Sequence, residues 1–156
     1  MAMQLSTSAP QPQPPKAAAP PQPALKDRLQ ELLALLRALH WLYYTAHWRS
    51  KGPALYSNHL LFERLYGGLP DQFDGLAEKL VGLYGPDAVD DADSIARASA
   101  WLKRWRGANL FARAIAGETA LQAMIKQLLP AVGPGMNNFL AGLADEHDVN
   151  LDFLLR

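Results

Sequence analysis

His47-Trp48-Arg49-Ser50-Lys51-Gly52-Pro53, followed by His59-Leu60-Leu61-Phe62-Glu63 and then Asp74-Gly75-Leu76-Ala77-Glu78, is where one long amphipathic pattern closes and a second runs. Before it, Leu25, Leu29, Leu32, Leu33, Leu36, Leu39 and Leu42 recur at helical spacing among Lys26, Arg28, Glu31 and Arg37, predicting a helix from Ala24 to Arg49. Gly52 suits a helix C-cap and Pro53 cannot continue the helix, so the chain turns there. After it, Leu60, Leu61, Leu65, Leu69, Phe73, Leu76, Leu80 and Leu83 predict helical structure from about Tyr56 to Tyr84. An interior proline costs about 3 kcal/mol, so Pro70 is expected to kink one continuous helix. The alternative is two helices broken at Gly67-Gly68-Leu69-Pro70.

Further out, Gly85-Pro86-Asp87 ends this segment and Asp90 to Arg106 reads as a shorter helix. Asn109 is the candidate N-cap of a third long helix reaching about Leu129. Pro130 and Gly133-Pro134-Gly135 close it, and a last helix runs from about Met136 to Leu155. Four long helices with a short one between the second and third predict an all-α chain, a ferritin-like four-helix bundle with a short extra helix in the crossover between helices 2 and 3. The bundle is expected over residues 25–156. Residues 1–24 hold seven of the twelve prolines among alanine, glutamine and serine, a composition that buries no core and reads as a disordered tail.

The chain of 156 residues has no cysteine, which excludes disulfides, thiolate metal sites and thiol nucleophiles. Fifteen lysines plus arginines balance fifteen aspartates plus glutamates, so no long-range positive field draws the molecule onto nucleic acid or an acidic membrane. Lys16 is the only charged side chain of the tail, a poor copy of a lysine-rich DNA-holding arm. No signal peptide or spanning segment is recognisable, and the expectation is a cytoplasmic protein, with nucleoid association only through weak DNA contact.

The candidate metal ligands are His47, His59, Asp74 and Glu78, with Glu63 as a fifth; imidazole with carboxylate suits divalent iron. His59 precedes Asp74 by a distance of about 22 Å along a continuous helix, too far for one metal in one chain. At about 100° per residue, however, His59, Glu63, Asp74 and Glu78 share one stripe, within about 100° of arc. A two-fold dimer with antiparallel second helices would bring His59 of one chain beside Asp74 and Glu78 of its mate, giving two equivalent sites. His47, across the Gly52-Pro53 turn, folds back to join His59.

These segments resemble the Dps (DNA-binding protein from starved cells) family of ferritin-like proteins: a His-Trp pair followed by glycine, a second histidine twelve residues on, and an Asp-x-x-Ala-Glu run, here Asp74 to Glu78. The resemblance is specific over residues 40–85 and absent from the tail. It implies a ferroxidase that oxidises Fe(II) with hydrogen peroxide at a di-iron site between two subunits, stores Fe(III) in a homododecamer, and protects against oxidative damage. By position it implies iron ligation by His47, His59, Asp74 and Glu78, with Glu63 helping to hold a second iron. Asn137 and Asn138 stand where the family commonly lines an iron pore with acids.

Plainer readings apply elsewhere. His40 and His147 are expected to be structural, Trp48 to be core, and Asp87, Asp90, Asp91 and Asp93 to form a solvated loop and helix start. Trp101, Arg104, Trp105 and Arg106 are weak grounds for nucleic-acid binding. The rival functions are a shell that mainly coats DNA and a helical adaptor whose proline-rich tail binds a partner. A site inside one bundle is disfavoured because paired Glu-x-x-His motifs are missing.

Overall fold

A computed structural model describes residues 22–107 and 109–156. The first helix, α1 (Gln22–Arg49), spans 28 residues, about 42 Å at the helical rise. It starts two residues before the expected Ala24, and the rest of the proposed 1–24 tail lies outside the described residues. Leu29, Leu32, Leu36, Leu39 and Leu42 form the expected buried stripe, but Ala34, Leu35, Ala38 and Tyr43 are buried too. A helix buried on more than one side needs a second cover, and the short helix α4 (Asp91–Arg104) packs on α1 to provide it.

Polar contacts hold α4 in that position. Asp90 caps it by accepting from the Asp93 N–H at 2.7 Å. Arg97 reaches Asp27 at 2.9 Å and Glu31 at 3.3 Å on α1, and Asp93 at 2.7 Å on its own helix. Arg37 donates to Ser94 Oγ at 2.6 Å. The aspartate run is thus a loop and helix start, as its charges suggest.

The second pattern forms α2 (Leu55–Gly67) and α3 (Leu69–Tyr84), so the single kinked helix gives way to the two-helix alternative. The break is one residue wide. Gly68 keeps right-handed helical torsions, φ −85° and ψ −18°, and its carbonyl accepts from the Gln72 N–H at 3.4 Å. Pro70 thereby falls in the first turn of α3, where its missing N–H has no helical partner to lose.

Helix α5 (Leu110–Leu128) begins at the expected cap, with Asn109 Oδ1 accepting from the Ala112 N–H at 2.8 Å. Helix α6 (Pro134–Leu155) starts two residues before Met136, with Pro134 at the first helical position. Asn137 donates to the Leu129 carbonyl at 2.8 Å and so closes the α5–α6 turn. Together α1, the α2–α3 pair, α5 and α6 make a four-helix bundle, with α4 in the crossover. Among the described residues there is no strand, and no helix is long and apolar enough to cross a membrane.

Candidate metal centre

Gly52 adopts φ +82°, a torsion that glycine takes without steric cost, and lets the chain reverse between α1 and α2. Ser50 Oγ donates back to the Ala46 carbonyl at 3.0 Å, tying down the end of α1. The reversal stacks His47 on His59, with ring centroids 3.6 Å apart and planes at 26°. His47 Nδ1 lies 3.0 Å from the His59 carbonyl, and His59 Nδ1 lies 3.1 Å from the His47 carbonyl. A carbonyl only accepts, so both Nδ1 atoms carry the proton and, in the neutral rings, both Nε2 atoms keep a lone pair. Such a second bond is what orients a metal-ligating histidine.

Aromatic rings brace the pair. Tyr66 stands edge-on to His47 at 5.4 Å, Tyr44 packs on Tyr66 at 5.0 Å, and Trp48 lies over Tyr44 at 4.2 Å. Burial first, then the charge of Glu63 and the neighbouring Tyr44, pushes the Tyr66 phenol up. Trp48 is 59% exposed, so the core reading fails for it: it packs on one face only.

Glu63 on α2 and Asp74 and Glu78 on α3 are all exposed. Asp74 and Glu78 lie one turn apart, but among the described residues no three histidine or acidic side chains gather into a metal-sized cluster. Only His47 and His59 come together. A single chain therefore presents the two halves of the predicted ligand set separately.

No profile of a known protein family matches the chain. Dps of Vibrio cholerae O1, described as a member of a broad superfamily of ferritin-like diiron-carboxylate proteins, superposes with a TM-score of 0.72 at 18% identity, covering 85% of this chain and 87% of that one. DpsC of Streptomyces coelicolor gives 0.74 at 23%, covering 84% and 81%, and Dps of Thermosynechococcus elongatus 0.73 at 22%, covering 85% and 88%. This chain has the Dps fold. In sequence, the "Uncharacterized protein in bpoA2 5'region" of Kitasatospora aureofaciens is 39% identical over 71 residues, 46% of this chain and 47% of that one, so the match spans about half of each.

Within this Dps fold the bundle interior holds a polar cluster that sequence reading overlooked. Tyr43 of α1 donates to Glu118 Oε1 of α5, and His147 Nδ1 of α6 meets Glu118 Oε2 at 2.6 Å. His147 Nε2 lies 2.9 Å from Gln72 Oε1 of α3, whose amide nitrogen donates to Glu146 at 2.6 Å. That last bond fixes which end of the Gln72 amide faces His147, so both His147 nitrogens face oxygen atoms. Glu118 and His147 are fully buried. Burial first, then the Glu118 charge, raises the Tyr43 phenol far above its usual value, so it remains a donor. The structural reading of His147 stands, now with named partners. A signal existed: Ala114, Glu118, Leu121 and Ile125 share one helical stripe, as do Leu140, Leu143, His147 and Leu154, so each polar residue occupies a core position.

His40 is likewise structural, stacked on Tyr44 at 5.8 Å and edge-on to Phe73 at 5.9 Å, with burial lowering its pKa. Trp105 is buried, and Arg104 stacks over the part-buried Trp101 at 4.4 Å.

Proposed function

We propose that this chain is a Dps-family ferroxidase that oxidises ferrous iron with hydrogen peroxide and stores the ferric product in a shell of twelve copies built from two-fold dimers. The observation that carries the reading is the reciprocal bonding of His47 and His59, which leaves both Nε2 atoms as lone-pair donors. Iron is substrate and cargo here. Two imidazoles from one chain with Asp74 and Glu78 of the partner subunit form a donor set suited to Fe(II), and Glu63 assists a second ion. Trp48, Leu55, Tyr56 and Leu60, exposed around the histidine corner, support an apolar two-fold surface. Two ferrous ions supply one electron each, so the peroxide O–O bond breaks in a two-electron step without releasing hydroxyl radical. The proposed setting is the cytoplasm.

Mixing variants tests the intersubunit site. Ferric formation is followed after adding ferrous iron and peroxide to the purified protein. A His47→Ala/His59→Ala chain and an Asp74→Ala/Glu78→Ala chain should each be inactive alone. Co-refolded in equal amounts they should recover about a quarter of the wild-type sites, because half the dimers are mixed and each holds one intact site. Wild-type rates in the separate variants would defeat the reading. Coating DNA as a main task lacks support from the balanced charge and from a tail with one lysine.

A further inference from the structure

Arg113 stands where a cation is poorly accommodated. It is the fourth residue of α5, in the turn where free peptide N–H groups already concentrate positive charge. Its Nε is sealed from solvent and has no hydrogen-bond partner. Burial first, then the charges of Arg49 and Arg106, lowers its pKa. Among the described residues no carboxylate pairs with Arg49, Lys103, Arg106 or Arg113. Arg97, near the start of α4, shows the contrast: Asp93, Asp27 and Glu31 all bond it. In a chain whose formal charges cancel, this end of α4 is a local excess of positive charge.

Helix dipoles account for part of the cluster, since Arg49 and Lys103 lie in the last turns of their helices. They do not account for Arg106, which lies beyond α4, or for Arg113, whose sign is wrong for its place. Lys103, Arg106 and Arg113 line one concavity of about 350 Å³, to which Thr45 and Ser99 add hydroxyls. Uncompensated guanidinium groups, an ammonium and hydroxyls converging on a small hollow are the groups that recognise a tetrahedral oxyanion.

We propose that this hollow between α1, α4 and α5 binds a small phosphate-type oxyanion, with Arg113 as its anchor and Arg106 and Lys103 closing over it. Inorganic phosphate is the minimal ligand. The recess favours a small anion over duplex DNA, whose phosphates stand on a convex backbone that cannot follow the half-buried Arg113 inward.

Calorimetry and thermal unfolding of the full chain, with phosphate titrated against chloride at constant ionic strength, test this. Wild type should bind phosphate saturably and gain thermal stability from it. Arg113→Gln should match or exceed wild-type stability without phosphate, because a repelled and desolvated charge is gone, yet bind phosphate about tenfold more weakly. Arg106→Gln, at an exposed position, should weaken binding without changing the fold. The proposal is overturned if phosphate and chloride act alike, if both variants bind phosphate as wild type does, or if Arg113→Gln is strongly destabilised without phosphate. It is equally overturned if both variants lose binding to a short DNA duplex while free phosphate never binds.

Discussion

At the residue scale, the four histidines are separated by what their ring nitrogens face. His47 and His59 spend one nitrogen each on a backbone carbonyl, whereas His147 spends both on buried acceptors. Removing the shared acceptor of a buried network strands its donors, so Glu118→Ala, which leaves both Tyr43 and His147 without their partner, should lower the unfolding free energy by about 3–5 kcal/mol in urea titration. Replacing Glu118 and His147 together with leucine should cost far less, because no charge is then stranded. His40 gives a pH effect of known sign. Burial holds its pKa below the usual 6.5, so the folded state takes up its proton less readily than the unfolded state. Its contribution to stability is full above that value and is lost as pH falls through it. The fall in melting temperature on mild acidification should therefore be shallower in His40→Phe.

At the scale of elements, close helix approach decides which glycines matter. A Cβ on Gly117 would lie 2.5 Å from Leu39 Cδ2 and 3.3 Å from the Trp105 ring. Leu39 is fully buried and has little room to yield. Overpacking costs about 1–3 kcal/mol and exceeds the gain of about 1 kcal/mol in helix propensity, so Gly117→Ala should destabilise. Gly142 on α6 is exposed and a Cβ there meets nothing; Gly142→Ala should raise stability by about 0.5–1 kcal/mol. Paired chemical denaturation curves check both signs. The approach at Gly117 also brings α5 near enough to α1 for Glu118 to receive the Tyr43 hydroxyl.

At the scale of the whole molecule, the two halves of the proposed ligand set lie apart on one chain, so the proposed activity belongs to an assembly. Leu60→Asp, at an exposed position one residue after His59, should leave the helical content intact while charging the proposed two-fold surface. Sedimentation should then show smaller species, and iron oxidation should be lost with them. Retained oxidation in a protein that sediments as a monomer would contradict the intersubunit site.

The His47-to-Glu78 stretch by itself determined much of this picture. The amphipathic patterns that meet there and the Gly52-Pro53 reversal are local events, as is the Asn109 cap farther along the chain, set by apolar periodicity and backbone torsions that neighbouring residues dictate. The pairing of His47 with His59 was legible for the same reason, since a single tight turn joins them. One outcome belonged to the local backbone and two to tertiary packing. Pro70 opens α3 instead of kinking a helix, because one residue of broken ladder at Gly68 relieves its clash. α1 is buried on more than one side, because α4 crosses it. Glu118 finds Tyr43 and His147, and Arg113 finds Arg49, because helices distant in sequence pack together. A buried polar group needs its partner in space, and sequence spacing reports partners only within one helix or across one turn.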